Sequence, residues 1–323
     1  MDRPPNFNIF MTFAAHYIGQ PLSRYYLDFR VLVDANMAVL EDFGTDIVQA
    51  ISDPYREAAG FGLDVEFPEN NLPLVNIPLI LSSEDLRSLK PPDPFTNERM
   101  ADRLEAIRLF REKVGGEVPI MGWVESALAE AADLRGVSRL MEDLIEHPEW
   151  VKDLLEICSE TSVQFAKDQM GAGADIIGLG DAVASLISPS MYQKYALPYE
   201  KRVFDSVRES GKIGRLHICG NTSKIVPDMV QSGADIVDID WMVNMEKADA
   251  KFGDQVSFCS NFDPVVVLLQ GTPQDVYKAV TSSLVHGGKR SFSAAGCEVP
   301  GQMSAENLNA QTKALHDYFS TAI

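Results

Sequence analysis

The chain has 323 residues, of which 46% are hydrophobic and 23% charged, and its formal net charge at pH 7 is −19. This is the length and composition of a globular protein with enough apolar residues for a large core. The acidic balance argues against a nucleic-acid partner, because a phosphate backbone is bound by a basic surface. No apolar run approaches the roughly 20 residues of a membrane-spanning helix, so we expect no membrane partner.

The N-terminal residues and the cysteines indicate the compartment. Met1 to Pro5 are not followed by the apolar region and small-residue cleavage site of a signal peptide, so we expect a cytoplasmic protein. The four cysteines are few for this length. In a reducing compartment such cysteines are more often buried hydrophobes, nucleophiles or metal ligands than disulfides.

Short apolar runs alternate with amphipathic stretches along the chain. Strands are predicted at 7–11, 46–50, 118–124, 174–181, 213–219, 234–240, 256–261 and 290–294. Helices are predicted at 126–132, at 142–170 with a break near His147 and Pro148, and at 191–210, 223–231, 245–252, 274–286 and 304–322. Alternating strands and helices predict a parallel sheet with right-handed crossovers.

About eight strands suit a (β/α)8 TIM barrel, formed as a single domain over residues 1–323 with an N-terminal extension and an inserted loop. The segments 173–177 and 233–237 have similar sequences, as expected when one supersecondary unit is repeated in the chain. A doubly wound open sheet is the alternative, although no Gly-x-Gly-x-x-Gly follows an early strand. Residues 60–98 are rich in proline and without clear period, so we interpret them as an insertion or lid.

Polar residues follow the predicted strands at their carboxyl ends, where a barrel places its catalytic groups. These residues are Glu125, Asp181, His217 with Cys219, Asp240, Asn261 with Asp263, and Cys297. We interpret them as the lining of a site. Glu125, Asp181 and Asp240 are the candidate catalytic carboxylates, although the two aspartates are also of the type that caps turns.

The most specific pattern is His217-Ile218-Cys219 at the end of a predicted strand. Alternation along a strand puts both side chains on one face, so the imidazole and the thiol can converge. If Cys297 ends a neighbouring strand, the three form a nitrogen and sulfur cluster typical of zinc. The alternative is a buried histidine beside a core cysteine. Cys259 competes for the third position but fits a core position better.

The chain resembles the uroporphyrinogen decarboxylase superfamily, and within it the zinc-containing cobamide-dependent methyltransferases. The resemblance runs from about Glu41 to the end. It rests on residues 180–185, 187–189, 197–199, 217–222, 233–235, 261–264 and 296–300. It implies a (β/α)8 barrel with zinc on His217, Cys219 and Cys297. We take Asn221, Asn261, Asp263 and His16 as candidate substrate-binding residues, although a histidine beside Tyr17 is more often a packing or loop residue than a ligand.

The subfamily follows from charge. Decarboxylases of this superfamily hold a substrate of eight carboxylates with arginines in an Arg-Gln-Ala-Gly-Arg signature near the N-terminus. Here the corresponding region, 10–16, reads Phe-Met-Thr-Phe-Ala-Ala-His and has no arginine. The methyltransferase branch is therefore favoured.

In that branch, zinc with three protein ligands keeps one position for a thiol or a methylated substrate. The resemblance implies a corrinoid (cobamide) cofactor on a separate corrinoid protein, since no Asp-x-His-x-x-Gly is present to bind cobalamin. The small-molecule methyl donor or thiol acceptor and the direction of transfer stay open. Two other functions also stay open: a decarboxylase acting on a tetrapyrrole, and a non-catalytic binding protein with Asp240 or Glu298 as a fourth zinc ligand.

Overall fold

The computed structural model describes residues 3–259, 261–288 and 290–321. Parallel strands form a sheet in which the order in space equals the order in the chain, β1-β2-β3-β4-β5-β6. They are β1 (Val48–Gln49), β2 (Ile120–Glu125), β3 (Ile176–Gly180), β4 (Ile213–His217), β5 (Ile236–Asp238) and β6 (Ser257–Cys259). A parallel sheet wound in chain order curls toward closure and brings all its carboxyl ends to one face.

Two extended segments close the sheet. Phe292 pairs in parallel with Cys259 of β6, and Ser293 pairs in parallel with Asn6. The Asp46 amide, just before β1, donates to the Asn6 carbonyl at 3.2 Å. The strands and these two segments together make the (β/α)8 barrel that the alternating pattern predicts.

The helices lie outside the barrel, and their first and last residues are given for the part of the chain that the structure describes. They are α1 (Thr12–Tyr17), α2 (Leu22–Leu27), α3 (Phe29–Phe43), α4 (Arg56–Phe61), α5 (Glu98–Val114), α6 (Ala127–Arg135), α7 (Val137–Glu146), α8 (Pro148–Ala172), α9 (Pro189–Tyr195), α10 (Leu197–Glu209), α11 (Val226–Met229), α12 (Met245–Phe252), α13 (Pro273–His286) and α14 (Ala305–Thr321). The predicted break at His147 and Pro148 separates α7 from α8.

Some predicted bounds were wrong. The helix predicted over 191–210 is two helices that meet at Ala196. Pro198 causes the break, because its ring has no N–H to donate and clashes with the carbonyl one turn earlier. Neither strand predicted at 7–11 or 290–294 forms a ladder: the N-terminal bridge is made by Asn6, just before the first, and the second makes isolated bridges through Phe292 and Ser293. Ser260, in the strand predicted at 256–261, lies outside the described residues.

The apolar core has two layers. A small cluster inside the barrel includes Phe7, Met121, Trp123 and Ile236. A larger layer packs the outer faces of the strands against the helices. The inner cluster fills the barrel below its carboxyl-end mouth and supports the residues there. None of the described helices combines the length and apolar character needed to cross a membrane.

The segment 60–98 lies in the long connection from β1 to α5, which leaves the barrel on its carboxyl-end side. It makes a short antiparallel bridge between Glu66 and Leu74. The Ile80 amide ties it to the carbonyl of Leu134, at 2.9 Å. Its position is compatible with a lid, which stays a prediction.

Candidate metal centre

His217 is the last residue of β4, and its side chain faces the inside of the barrel. It is 8% exposed. Alternation puts Arg215 on the same face one step deeper, and Cys219 one step nearer the mouth. The parallel register pairs His217 with Gly180 of β3 on one side and with Asp238 of β5 on the other.

Cys219 and Cys297 meet His217 at the mouth. One ligand atom from each of the three residues can be chosen so that all lie within 4.8 Å of one another. The Sγ atom of Cys297 is 3.9 Å from Nε2 of His217. The sequence prediction that these three residues converge agrees with this geometry. Two sulfurs and an imidazole nitrogen at this spacing form a donor set that fits zinc.

Asp238 orients the imidazole. Its Oδ2 atom is 2.8 Å from Nδ1 of His217. Because this carboxylate accepts a hydrogen bond from Nδ1, the other nitrogen, Nε2, is directed toward the two cysteines. The aspartate thus fixes the tautomer that a metal ligand needs.

Hydrogen bonds within the cluster shift the pKa of each member. Burial disfavours the charged imidazole, but the bonds to Asp238 and Cys297 outweigh it and raise the pKa of His217 to about 10. The hydrogen bond between the two thiols lowers the pKa of Cys219 and raises that of Cys297. Without a metal, the first thiolate therefore forms on Cys219.

Trp123 of β2 lies beside the cluster, with its ring centroid 6.0 Å from that of His217. The glycines of β3 make room for it. A Cβ atom on Gly178 would lie 2.3 Å from the indole, and one on Gly180 would lie 3.1 Å from it. Larger residues at these two positions would push the indole away from the metal ligands.

Glu125 ends β2 and is buried, 8% exposed. Its Oε1 atom accepts from the Trp123 indole at 3.0 Å and from the guanidinium of Arg56 at 3.3 Å. Burial raises the pKa of Glu125 to about 7, with Arg56 opposing and Glu57 adding to the shift. The charge of Glu125 acts on the thiol of Cys219, where it opposes the net lowering of the pKa by the hydrogen bond with Cys297. The carboxylate therefore lies within electrostatic reach of the cluster.

Asp240 follows β5 and is also buried at this edge, 6% exposed. Both of its oxygens are used by the backbone, since they accept from the amides of Gly220 at 2.6 Å and Trp241 at 2.7 Å. Asn261, in the left-handed region with φ 122°, donates to the Asp240 carbonyl at 2.9 Å. These two residues hold the loops around the mouth in place.

Asp181 follows β3 and is completely buried. Burial raises its pKa to about 7. Glu200 is a close buried partner whose own pKa is raised by burial and by the charge of Asp181. Tyr192 donates to Glu200 at 2.5 Å. The bond between Tyr192 and Glu200 joins α9 to α10 beside the buried carboxyl group of Asp181.

The other predicted site residues lie outside the cluster. Asn221 is exposed and accepts from the hydroxyl of Ser223 at 2.8 Å. Asp263 caps the following helical turn by accepting from Val265 at 2.8 Å. His16 is exposed on α1, with Nδ1 3.2 Å from the Gly301 carbonyl.

Sequence reasoning missed Asp238, Arg215 and Trp123. A signal for the first two was present, because each is a charged residue within an apolar strand, and such a charge is buried only when it is paired. The pair could not be assigned without the register between β4 and β5.

A closed barrel with an imidazole and two thiols converging at its carboxyl-end mouth defines a TIM-barrel protein with a candidate metal-binding site. More specifically, the chain belongs to the uroporphyrinogen decarboxylase (URO-D) family, which matches residues 1–318. This confirms the resemblance found in the motifs.

Individual members of this family with known names differ in how similar they are to the chain. Methylcobamide:CoM methyltransferase MtbA of Methanosarcina acetivorans is 31% identical over 290 residues, which are 87% of this chain and 84% of the relative. Uroporphyrinogen decarboxylase of Carboxydothermus hydrogenoformans is 26% identical over 267 residues, 80% of this chain and 74% of the relative. A solved methyltransferase from Methanosarcina mazei has the same fold, with a TM-score of 0.90 at 24% identity, covering 99% of this chain and 95% of that one.

Proposed function

We propose that this chain is a zinc-dependent methyltransferase of the URO-D family. It moves a methyl group between a corrinoid cofactor on a partner protein and a small thiol or methylated substrate. The convergence of His217, Cys219 and Cys297 carries the proposal, since their ligand atoms lie within 4.8 Å. The relatives named methylcobamide:CoM methyltransferases, at about 30% identity, support the corrinoid part.

Zinc bound by these ligands would keep one position for substrate and lower the pKa of a thiol there. The residues of the chain prepare that position. Asp238 accepts the hydrogen bond from Nδ1 of His217 and keeps Nε2 available. As thiolates, Cys219 and Cys297 would supply two negative charges, which would moderate the Lewis acidity of the zinc and keep a bound substrate thiolate nucleophilic.

Glu125 is our candidate for the proton acceptor. A thiol that binds as thiolate must release a proton, and a base with a pKa near the working pH takes it efficiently. The pKa of Glu125 is raised to about 7. Arg56 and Trp123 hold its Oε1 atom, while a Cβ atom at Gly180 would lie 3.0 Å from Oε2. Oε2 is thus the oxygen toward the strand that pairs with His217.

Asp181 and Asp240 are assigned supporting roles beside it. Asn221 and His16 are exposed and so are available to a substrate or to the corrinoid protein. Asn261 and Asp263 would act by shaping the loop after β6. We further propose that 60–98 borders the mouth as a lid and that the enzyme works in the cytoplasm, where its cysteines, free in the described chain, stay reduced.

The decarboxylase alternative has less support. A polyanionic substrate needs unpaired cations, whereas the completely buried arginines Arg56, Arg103 and Arg215 are each paired with a carboxylate of the protein. The relatives named uroporphyrinogen decarboxylase are also less similar to the chain, at 26–28% identity, than the two named MtbA, at 29–31%.

The test combines metal content with activity. Purified native protein, His217→Ala, Cys297→Ala and the control Cys158→Ala are analysed for zinc and assayed for methyl transfer from methylcobalamin to thiols. Cys158 is a buried core cysteine of α8, outside the cluster. We expect about one zinc per chain and methyl transfer in the native and control proteins, and the loss of both in the ligand variants. Native protein that binds no zinc, prepared without chelators, would refute the proposal.

A further inference from the structure

Arg215 is a completely buried arginine inside the barrel, in β4 below His217. A guanidinium out of water is costly unless its charge and its donors are matched. Since Arg215 is buried among the apolar side chains of the inner cluster, its contacts must neutralise its charge and accept its hydrogen bonds.

Its first partner is Asp238. The Nε atom of Arg215 lies 3.0 Å from Oδ1 and 3.1 Å from Oδ2 of Asp238. The same Oδ2 atom accepts the bond from Nδ1 of His217. Arg215 thus compensates the charge of the carboxylate that orients the metal ligand.

Its second partner is the N-terminal segment that closes the barrel. The Nη2 atom of Arg215 donates to the Phe7 carbonyl at 3.0 Å, and the guanidinium carbon lies 5.8 Å from the centroid of the Phe7 ring. One planar guanidinium thus joins β4, β5 and this segment, a geometry that a lysine ammonium does not reproduce.

The same N-terminal segment also holds the chain that carries Cys297. The Phe7 amide donates to the Ser293 carbonyl at 2.8 Å, and the Val299 amide donates to the Ile9 carbonyl at 2.9 Å. Between them, the Ala295 amide donates to Oδ1 of Asn8 at 2.8 Å. Cys297 lies within the stretch that these bonds anchor.

We propose that Arg215 is a positioning residue that couples the N-terminal segment, residues 6–9, to the metal ligands. Through Asp238 it orients His217, and through the Phe7 carbonyl it anchors the segment that positions Cys297. Metal binding and attachment of this segment therefore strengthen each other, because coupling between two sites is reciprocal. The inference rests on the proposed function only in that a metal binds at the cluster.

The first test is zinc affinity, measured by competition with a chromophoric chelator. Arg215→Met and Arg215→Lys are compared with native protein and with Arg103→Met, which removes a completely buried arginine of α5 that contacts Tyr26 and Asp102. We expect Arg215→Met to weaken zinc binding about 10-fold, the lower end of the effect of losing a metal ligand's own hydrogen-bond partner, because Arg215 acts on His217 only through Asp238. We expect Arg215→Lys to lie between, and Arg103→Met to equal native.

The second readout is hydrogen exchange at the amides of Phe7 and Val299, with and without zinc. Zinc should slow exchange at both amides in native protein and in Arg103→Met. Zinc should slow exchange at these amides less in Arg215→Lys, which keeps the positive charge but lacks the planar set of donors of the guanidinium. This variant allows the comparison even if Arg215→Met does not fold. The Ile80 amide serves as the reference site that zinc does not affect.

Native zinc affinity in a folded Arg215 variant, or equal protection by zinc in native protein and Arg215→Lys, would overturn the proposal. These results do not depend on methyl transfer. A native protein that binds zinc with this coupling but transfers no methyl group would remove the proposed function and leave the role of Arg215 intact.

Discussion

The Nδ1 atom of His217 lies 2.8 Å from Oδ2 of Asp238, its register partner on the adjacent strand β5. Asp238 also pairs with the buried guanidinium of Arg215. A single carboxylate therefore connects the candidate metal ligand to the interior of the barrel, and its removal has consequences for both.

Asp238→Asn should weaken zinc binding about 10- to 100-fold, because the amide cannot replace the anionic acceptor that orients His217. It should also destabilise the fold by about 3–5 kcal/mol, since Arg215 is left buried and unpaired. Chelator competition and urea unfolding measure the two effects. Asp235→Asn is the control, because Asp235, just before β5, accepts from the Gly214 amide at the start of β4, away from His217. Native zinc affinity in Asp238→Asn would show that the pair has no role in metal binding.

Zinc binding should release protons and strengthen with rising pH. At pH 7 the imidazole of His217, with a pKa of about 10, carries a proton, and the raised pKa of Cys297 keeps its thiol protonated. Because a metal displaces both, we expect a release of about two protons or more per zinc. Calorimetry in buffers of different ionisation enthalpy counts them. Affinity that does not change between pH 6 and pH 8 would contradict this description of the cluster.

Glu125→Gln should lower the rate of methyl transfer to a thiol by about 10²–10⁴-fold while leaving zinc content unchanged, as expected for the loss of a general base. In native protein, kcat/KM should rise with pH through about 7, since the carboxyl group accepts a proton only after it has ionised. The inflection should disappear in the variant. Glu156→Gln, in an exposed ion pair with Arg202, is the control. An unchanged inflection in Glu125→Gln would assign it to another group.

Asp181→Asn should make the protein more stable at alkaline pH. Burial raises the pKa of Asp181 from 3.8 to about 7, so the folded state holds a proton that the unfolded state has lost. Stability from this group is present below pH 3.8 and is lost as the pH rises through 7, by roughly 4 kcal/mol. Urea unfolding at pH 5 and pH 8 should show a smaller decrease in the variant than in native protein. An equal decrease in both would mean that Asp181 is not its source.

Much of the fold could be predicted from the sequence, because a strand–helix alternation permits few topologies. The break at Pro148 was also predictable from local chemistry. The break at Ala196 was missed, although Pro198 marks it, since the apolar pattern continues through it. Closure by isolated bridges at Asn6 and Phe292 depends on tertiary contacts that have no local signal.

Some residues of the candidate site could be predicted from the sequence and others could not. The metal ligands could be proposed because His217 and Cys219 share a strand face and because the motifs resemble a family with known ligands. Their geometric convergence with Cys297 agrees with that proposal. Asp238 and Arg215 could not be assigned, because their roles depend on the register between strands. Asn261 and Asp263 were predicted to bind substrate because their side chains are polar. The same polar groups make the loop hydrogen bonds that the structure shows, and the sequence alone does not distinguish the two uses.

X-ray absorption at the zinc edge, before and after a thiol substrate is added, identifies the atoms bound to the metal. We expect one nitrogen and two sulfur ligands from His217, Cys219 and Cys297, and a third sulfur when the thiol binds. The Cys297→Ala variant, if it retains zinc, should show one sulfur fewer in both states. A sulfur count that does not change when a saturating thiol substrate is added would show that the zinc has no position for the substrate.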